Sequence, residues 1–157
     1  MKLPFLFVTA ALAAASAGVV AADGAPVTLQ PGSSIEIPAS KGKFDFLRID
    51  AKRRRLLGAH ENDGTADYFD LQKNALITRV KVGGAVDHAV DADSKYYYVS
   101  VQEDQRVAVL DATTLKEVKS IKVSGPTDAI IFEPKNHMIF VTHDEGADVW
   151  EIGRAHV

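Results

Sequence analysis

One stretch of this chain is written three times. Gly42-Lys-Phe-Asp45-Phe-Leu-Arg-Ile-Asp-Ala, Gly84-Ala-Val-Asp87-His-Ala-Val-Asp-Ala and Gly125-Pro-Thr-Asp128-Ala-Ile-Ile-Phe-Glu-Pro share a strand-like opening, at spacings of 42 and 41 residues. Further along, Leu56-Leu57-Gly58-Ala59 answers Tyr97-Tyr98-Val99-Ser100 and Ile139-Phe140-Val141-Thr142, and Tyr68-Phe69-Asp70 answers Val109-Leu110-Asp111 and Val149-Trp150-Glu151. A period of this size, made of four short strands, is the signature of a β-propeller blade. The expected fold is therefore all-β: a partial propeller of about three four-stranded blades.

The strands are read from runs of β-branched and aromatic residues, broken by Asp, Ser, Thr, Lys and Gly. In the first blade (42–83) they are expected at 44–50, 55–60, 65–71 and 77–82. In the second (84–124) they are expected at 86–91, 96–101, 106–111 and 118–123. The third (125–152) offers 127–132, 138–143 and 148–152 and lacks its outer strand. No segment has a sustained helical period. With 46% hydrophobic and 25% charged residues, the composition is that of a folded domain and not a disordered tail.

The two ends read differently from the repeats. Lys2, the uncharged Ala- and Leu-rich run from Phe5 to Val20, and small residues before Asp23 form a secretory leader over 1–22. The expected location is periplasmic or secreted, without stable membrane insertion once the leader is removed. Residues 23–41 form an N-terminal segment in which Ser34-Ile35-Glu36-Ile37 resembles the outer-strand endings Arg79-Val-Lys-Val82 and Ser120-Ile-Lys-Val123. Such a strand could complete a last blade and close a ring. Ile152-Gly-Arg-Ala-His-Val157 is what the codons ATC GGA AGA GCA CAC GTC encode. Those codons match the start of a common sequencing adapter, so 153–157 are read as a scar on a truncated gene. Without Lys2 and Arg154 the chain has 16 basic against 21 acidic residues, which argues against nucleic acid or anionic lipid as a partner.

Taken in order, Gly42 to Asp50, Arg54-Arg-Leu-Leu-Gly-Ala-His60, Val107-Ala-Val-Leu-Asp111 with Thr114-Leu-Lys, and Thr127-Asp-Ala-Ile-Ile-Phe-Glu-Pro134 resemble the exported YncE-like proteins with YVTN-type repeats. The resemblance covers roughly residues 35–152. It implies a seven-bladed ring, usually periplasmic and monomeric when complete, with no established catalytic residues to carry over. The chain departs from that pattern at Gly58, where Val is expected, and at Tyr68-Phe69, where Val-Ile is common.

Chemistry is sought where loops of successive blades converge. The loop entering the inner strand and the loop between the second and third strands open on one face. That rule places Asp45, Asp87, His88 and Asp128 at the first position, and His60, Glu61, His143 and Asp144 at the second. Carboxylates and imidazoles so gathered could hold a metal, a cation or a polar ligand. They could equally accept backbone N–H groups of their own loops. The metal question stays open, and no cofactor is assigned. Lys52-Arg53-Arg54-Arg55 is read as a solvated turn on the opposite face. In Tyr96-Tyr97-Tyr98, alternation along a strand sends the middle ring to the other side of the sheet, which suits packing between blades.

Two functions follow. The first is a non-catalytic binding scaffold for a small polar ligand or a protein. The second is a propeller enzyme of the metal-dependent lactonase or the quinone- or haem-linked oxidoreductase kind, with its decisive residues in further blades.

Overall fold

Carboxylates at strand ends set the turns. Asp70 accepts the N–H groups of Gln72 and Lys73, Asp111 those of Thr113 and Thr114, Asp91 those of Lys95 and Tyr96, and Glu133 those of Lys135 and Asn136. Each satisfies donors that the reversing chain would otherwise leave unpaired. The turns then pass through the left-handed region shortly before the next strand, at Arg54, Gly64, Asn74, Ser94, Gln105, Leu115 and His137.

The structure, a computed structural model, describes residues 31–153; the leader at 1–22 and residues 154–157 of the expected scar lie outside them. All elements belong to the unit 34–157. The first sheet is β1 (Leu47–Asp50), β2 (Arg55–His60), β3 (Thr65–Asp70) and β4 (Ala75–Lys81), with a 3-10 turn at Glu61–Asp63. The second is β5 (Ala85–Val90), β6 (Tyr96–Val101), β7 (Arg106–Asp111) and β8 (Glu117–Lys122). The third has three strands, β9 (Thr127–Glu133), β10 (Met138–His143) and β11 (Val149–Ile152). Every sheet is an antiparallel meander in chain order, and there is no α-helix among the described residues. The inner strand β5 touches β1 on one side and β9 on the other.

Two apolar clusters lie between the sheets. Leu57, Ala59, Ala66 and Tyr68 of the first pack against Ala85, Tyr97, Val99, Ala108 and Leu110 of the second. Ala89, Tyr98, Val107 and Val109 of the second pack against Ile130, Ile139 and Val141 of the third. Tyr97 stacks on Tyr68 at 5.5 Å while Tyr98 stacks on Phe132 at 6.2 Å, the alternation expected of adjacent strand residues.

One expectation needs correction: Ser34 to Ile37 is not a strand. Gly58 is where Phe44 lies: a Cβ there would sit 2.7 Å from the Phe44 ring, which fills the volume a valine would take.

Candidate functional site

The terminal acids Asp50, Asp91 and Glu133 give a common frame for the inner strands, because each faces the first residue of the next strand. Asp50 pairs with Arg55 and Glu133 with Met138, while the Asp91 amide bonds Tyr96. Counted back from that frame, Asp45 and Asp128 stand five residues away but Asp87 only four. The ladder register slips between Ala85 and Asp87 to absorb the difference. Asp87 therefore occupies the position of Phe46 and Ala129, not that of Asp45 and Asp128, and it turns inward.

Asp87 is fully buried. It accepts the Arg48 guanidinium at 2.6 Å, the Ile130 N–H at 3.1 Å and the His88 N–H at 2.7 Å, so one carboxylate ties together all three sheets. Burial pushes its carboxyl above the ordinary range, against the pull of these donors. His88 is buried too, its ring edge-on to Tyr68 at 5.9 Å, and neither ring nitrogen has a partner. Burial, with the Arg48 charge adding to it, pushes the imidazole down to about 3. Neither residue is presented on the loop face where sequence reasoning placed it.

His60 is likewise interior, with no exposed surface. Its Nδ1 lies 3.0 Å from Asp67, and its Nε2 lies 3.1 Å from Ser40 Oγ and 3.6 Å from Asp63. Arg79 bonds Asp63 and also reaches Asp67 at 3.3 Å; the Lys41 N–H donates to Asp63. The third sheet repeats the theme, with His143 Nδ1 2.9 Å from Asp148 and its ring against Trp150. Gly125, next to the His143 ring, stands on the connector into the third sheet, as Ser40 stands on the connector into the first. In both blades a histidine at the end of the second strand pairs with an aspartate at the third; in the first blade it also bonds Ser40 on the connector, and in the third blade Gly125 lies beside its ring.

The remaining residues do reach the surface at this end. Asp45 and Asp144 are exposed, and Glu61 and Asp128 are half-buried. Glu61 and Glu103 flank Gly84 from either side, and Gln102 donates to Asp144 at 2.6 Å, linking neighbouring loops. Three successive loops between second and third strands thus carry Glu61 and Asp63, then Glu103 and Asp104, then Asp144, Glu145 and Asp148. Among the described residues, no three His, Asp or Glu side chains come close enough to hold a metal.

The basic turn at the opposite end is not merely solvated. Lys52 donates to the Asp93 carbonyl at 2.7 Å, Arg53 to the Ser94 carbonyl and Thr113 Oγ1, and Arg55 to the Ala112 carbonyl. Asp50 receives Tyr97 Oη at 2.7 Å and Ser94 Oγ at 3.0 Å across the same interface. Burial opposes ionisation of Asp50, but these two hydroxyls with the N–H and charge of Arg53 outweigh it and hold the carboxyl below its usual range. Sequence reasoning missed Ser40, Arg48, Asp50, Asp67, Arg79 and Tyr97. Asp67 and Asp148 do fall at one repeat position, just before Tyr68-Phe69 and Val149-Trp150, which is a signal the alignment contained.

Comparison with solved structures agrees with this geometry. Hydrazine synthase of Kuenenia stuttgartiensis superposes with a TM-score of 0.64 at 20% identity, over 75% of this chain and 36% of that one. The dihydro-heme d1 dehydrogenase NirN, in complex with DHE, gives 0.62 at 21% identity, over 72% of this chain and 26% of that one. The β-propeller domain of Cps50 (Swd1) from Myceliophteria thermophila gives 0.59 at 16% identity, over 71% and 38%. The chain is a partial β-propeller. It spans between about a quarter and two fifths of the length of these proteins, and at such identities the likeness shows the fold alone. No protein-family profile and no curated protein sequence matches it.

Proposed function

We propose that this chain is part of an exported, non-catalytic propeller of the YncE-like type, which binds a cationic partner on the loops between its second and third strands. The observation that carries this reading is the run of exposed or half-buried carboxylates on three successive loops, at one end of three packed blades. Several like charges converging on one surface raise the local potential and favour a cation or a donor-rich ligand. The leader at 1–22 supports export, and the ordered set of repeat phrases supports the family. Of the expected residues, Glu61 and Asp144 stand on these acidic loops, while Asp45 and Asp128 belong to the inner-strand entries. Asp87 and His60 are interior ties, His88 is buried with its ring unpaired, and His143 is held by Asp148.

The enzyme reading has one observation of its own, the chain of hydrogen bonds from Ser40 through His60 to Asp67. Asp63, 3.6 Å from the same His60 nitrogen that meets Ser40, competes with the serine for that nitrogen. Recurrence of the His–Asp pair in the third sheet, with Gly125 on the equivalent connector, favours a tether. Labelling of Ser40 by a fluorophosphonate would reverse the preference.

A lysine-rich peptide serves as the binding probe. Changing Glu61→Gln, Glu103→Gln and Asp144→Asn together should weaken its binding about ten-fold or more at low salt, whereas Arg54→Gln on the opposite end should not weaken it. Equal binding by the triple variant and the unchanged protein would remove the site from this face.

A further inference from the structure

A second surface of opposite character lies on the inner strands. A groove of about 280 Å³ runs across β1, β5 and β9, bordered by Arg48, Ile49, Val90, Ile131 and Phe132. Its bordering side chains are apolar apart from Arg48 and the buried His88, and polar atoms make up much of the lining. The Arg48 guanidinium is fixed there on two sides: Nε donates to the His88 carbonyl at 3.3 Å and one terminal nitrogen to Asp87 at 2.6 Å. Phe46 lies 5.5 Å from the guanidinium carbon and supports it from a third direction. The other terminal nitrogen, Nη1, has no hydrogen-bond partner among the described residues, and the side chain keeps 39% of its surface exposed.

We propose that this groove binds a small carboxylate with an apolar or aromatic body, with Arg48 as its anchor. A guanidinium held flat by other bonds has already lost its rotamer freedom, so a further N–H can meet a carboxylate oxygen at little ordering cost. Groove size and lining suit a small ligand with both a polar and an apolar part. Asp87 sets the limit on affinity, because it occupies one terminal nitrogen and offsets much of the charge. The site is independent of the acidic loops, which are built from other residues and would repel the same ligand.

Saturation-transfer NMR on the full chain, with benzoate as probe and benzamide as an uncharged control of nearly the same shape, tests this. Benzoate should show transfer to its ring protons and benzamide much less. Arg48→Gln should weaken benzoate binding about ten-fold, with Arg48→Lys intermediate because it keeps charge without the planar fork. Asp87→Asn should strengthen it by removing the negative charge that offsets the guanidinium. A folded Arg48→Gln protein that binds benzoate as well as the original overturns the proposal. Should that variant not fold, equal transfer to benzoate and benzamide in the original protein overturns it just as well.

Discussion

At the residue scale, His88 stands out because of what occupies its position elsewhere. In the frame set by the terminal acids, its counterparts are Leu47 and Ile130, and Ile130 packs in the apolar cluster between the second and third sheets. His88 thus places two hydrogen-bonding nitrogens where the repeat otherwise has an aliphatic side chain, and both go unpaired. His88→Leu should raise stability at neutral pH by about 1–2 kcal/mol, measured by urea unfolding. The pH dependence has a definite sign. Unfolding lets the ring, held down to about 3, return to its ordinary 6.5, so between those values the unfolded chain binds the extra proton. The contribution of His88 to stability is therefore undiminished above pH 6.5 and falls as pH drops below it, by up to about 1.4 kcal/mol per unit. Of the groups near the ring, Tyr68 is held up by burial and stays neutral across this window, while burial also raises the Asp87 carboxyl, whose pH dependence has the opposite sign. His88→Leu should flatten that slope; an unchanged slope would place the proton elsewhere. A smaller test concerns Gln105, exposed on its turn at a φ of 50°. Gln105→Gly should gain about 0.5–1 kcal/mol by relieving the left-handed conformation, net of the added freedom of the unfolded chain.

At the element scale, one set of positions in each blade packs on the blade that follows. Leu57 and Tyr68 of the first sheet and Tyr98 and Val109 of the second are buried against their successors. These packing residues were legible in sequence, since aliphatic and aromatic runs repeat at constant spacing. Strands β2, β6, β7 and β10 fall on the expected residues, and the others shift by one to three at their ends, where ladder bonds thin out. The side-chain ties were not legible. Whether Lys52, Arg53 and Arg55 meet water or carbonyl groups depends on where the second sheet holds its turns, and nothing local in Lys-Arg-Arg-Arg says so. Asp87 misled for a related reason: the one-residue shortening of its strand is absorbed by a register slip, which moves the carboxylate from loop to interior. Asp50→Ala tests the tie it makes. It leaves Tyr97 and Ser94 hydroxyls without their acceptor and should cost about 2–4 kcal/mol. Amide exchange should accelerate in β1 and β2 well before β9 and β10; uniform acceleration would mean that the sheets do not open separately.

At the scale of the whole molecule, both ends of the stack are open. Leu47 and Ile49, at the positions that bury His88 and Val90 against a preceding sheet, have 49% and 63% of their surface exposed. Ile131 and Val149, at the positions that bury Ala89 and Val109 against a following one, each keep 58% exposed. A nearly all-apolar groove of about 300 Å³ between Ala129, Ile131, Phe140, Thr142 and Val149 lies on that far face. Among the described residues, edge β11 has no outer partner of the kind that β4 and β8 give β3 and β7. Repeat stacks draw their stability from neighbour interfaces, and this one has two such interfaces with two bare faces. The most direct measurement of the three-blade account is sedimentation velocity on residues 23–152, combined with a thermal melt at the same concentration. The account predicts self-association that grows with concentration, or a broad transition at low temperature. A monodisperse monomer that melts in one sharp transition would contradict it.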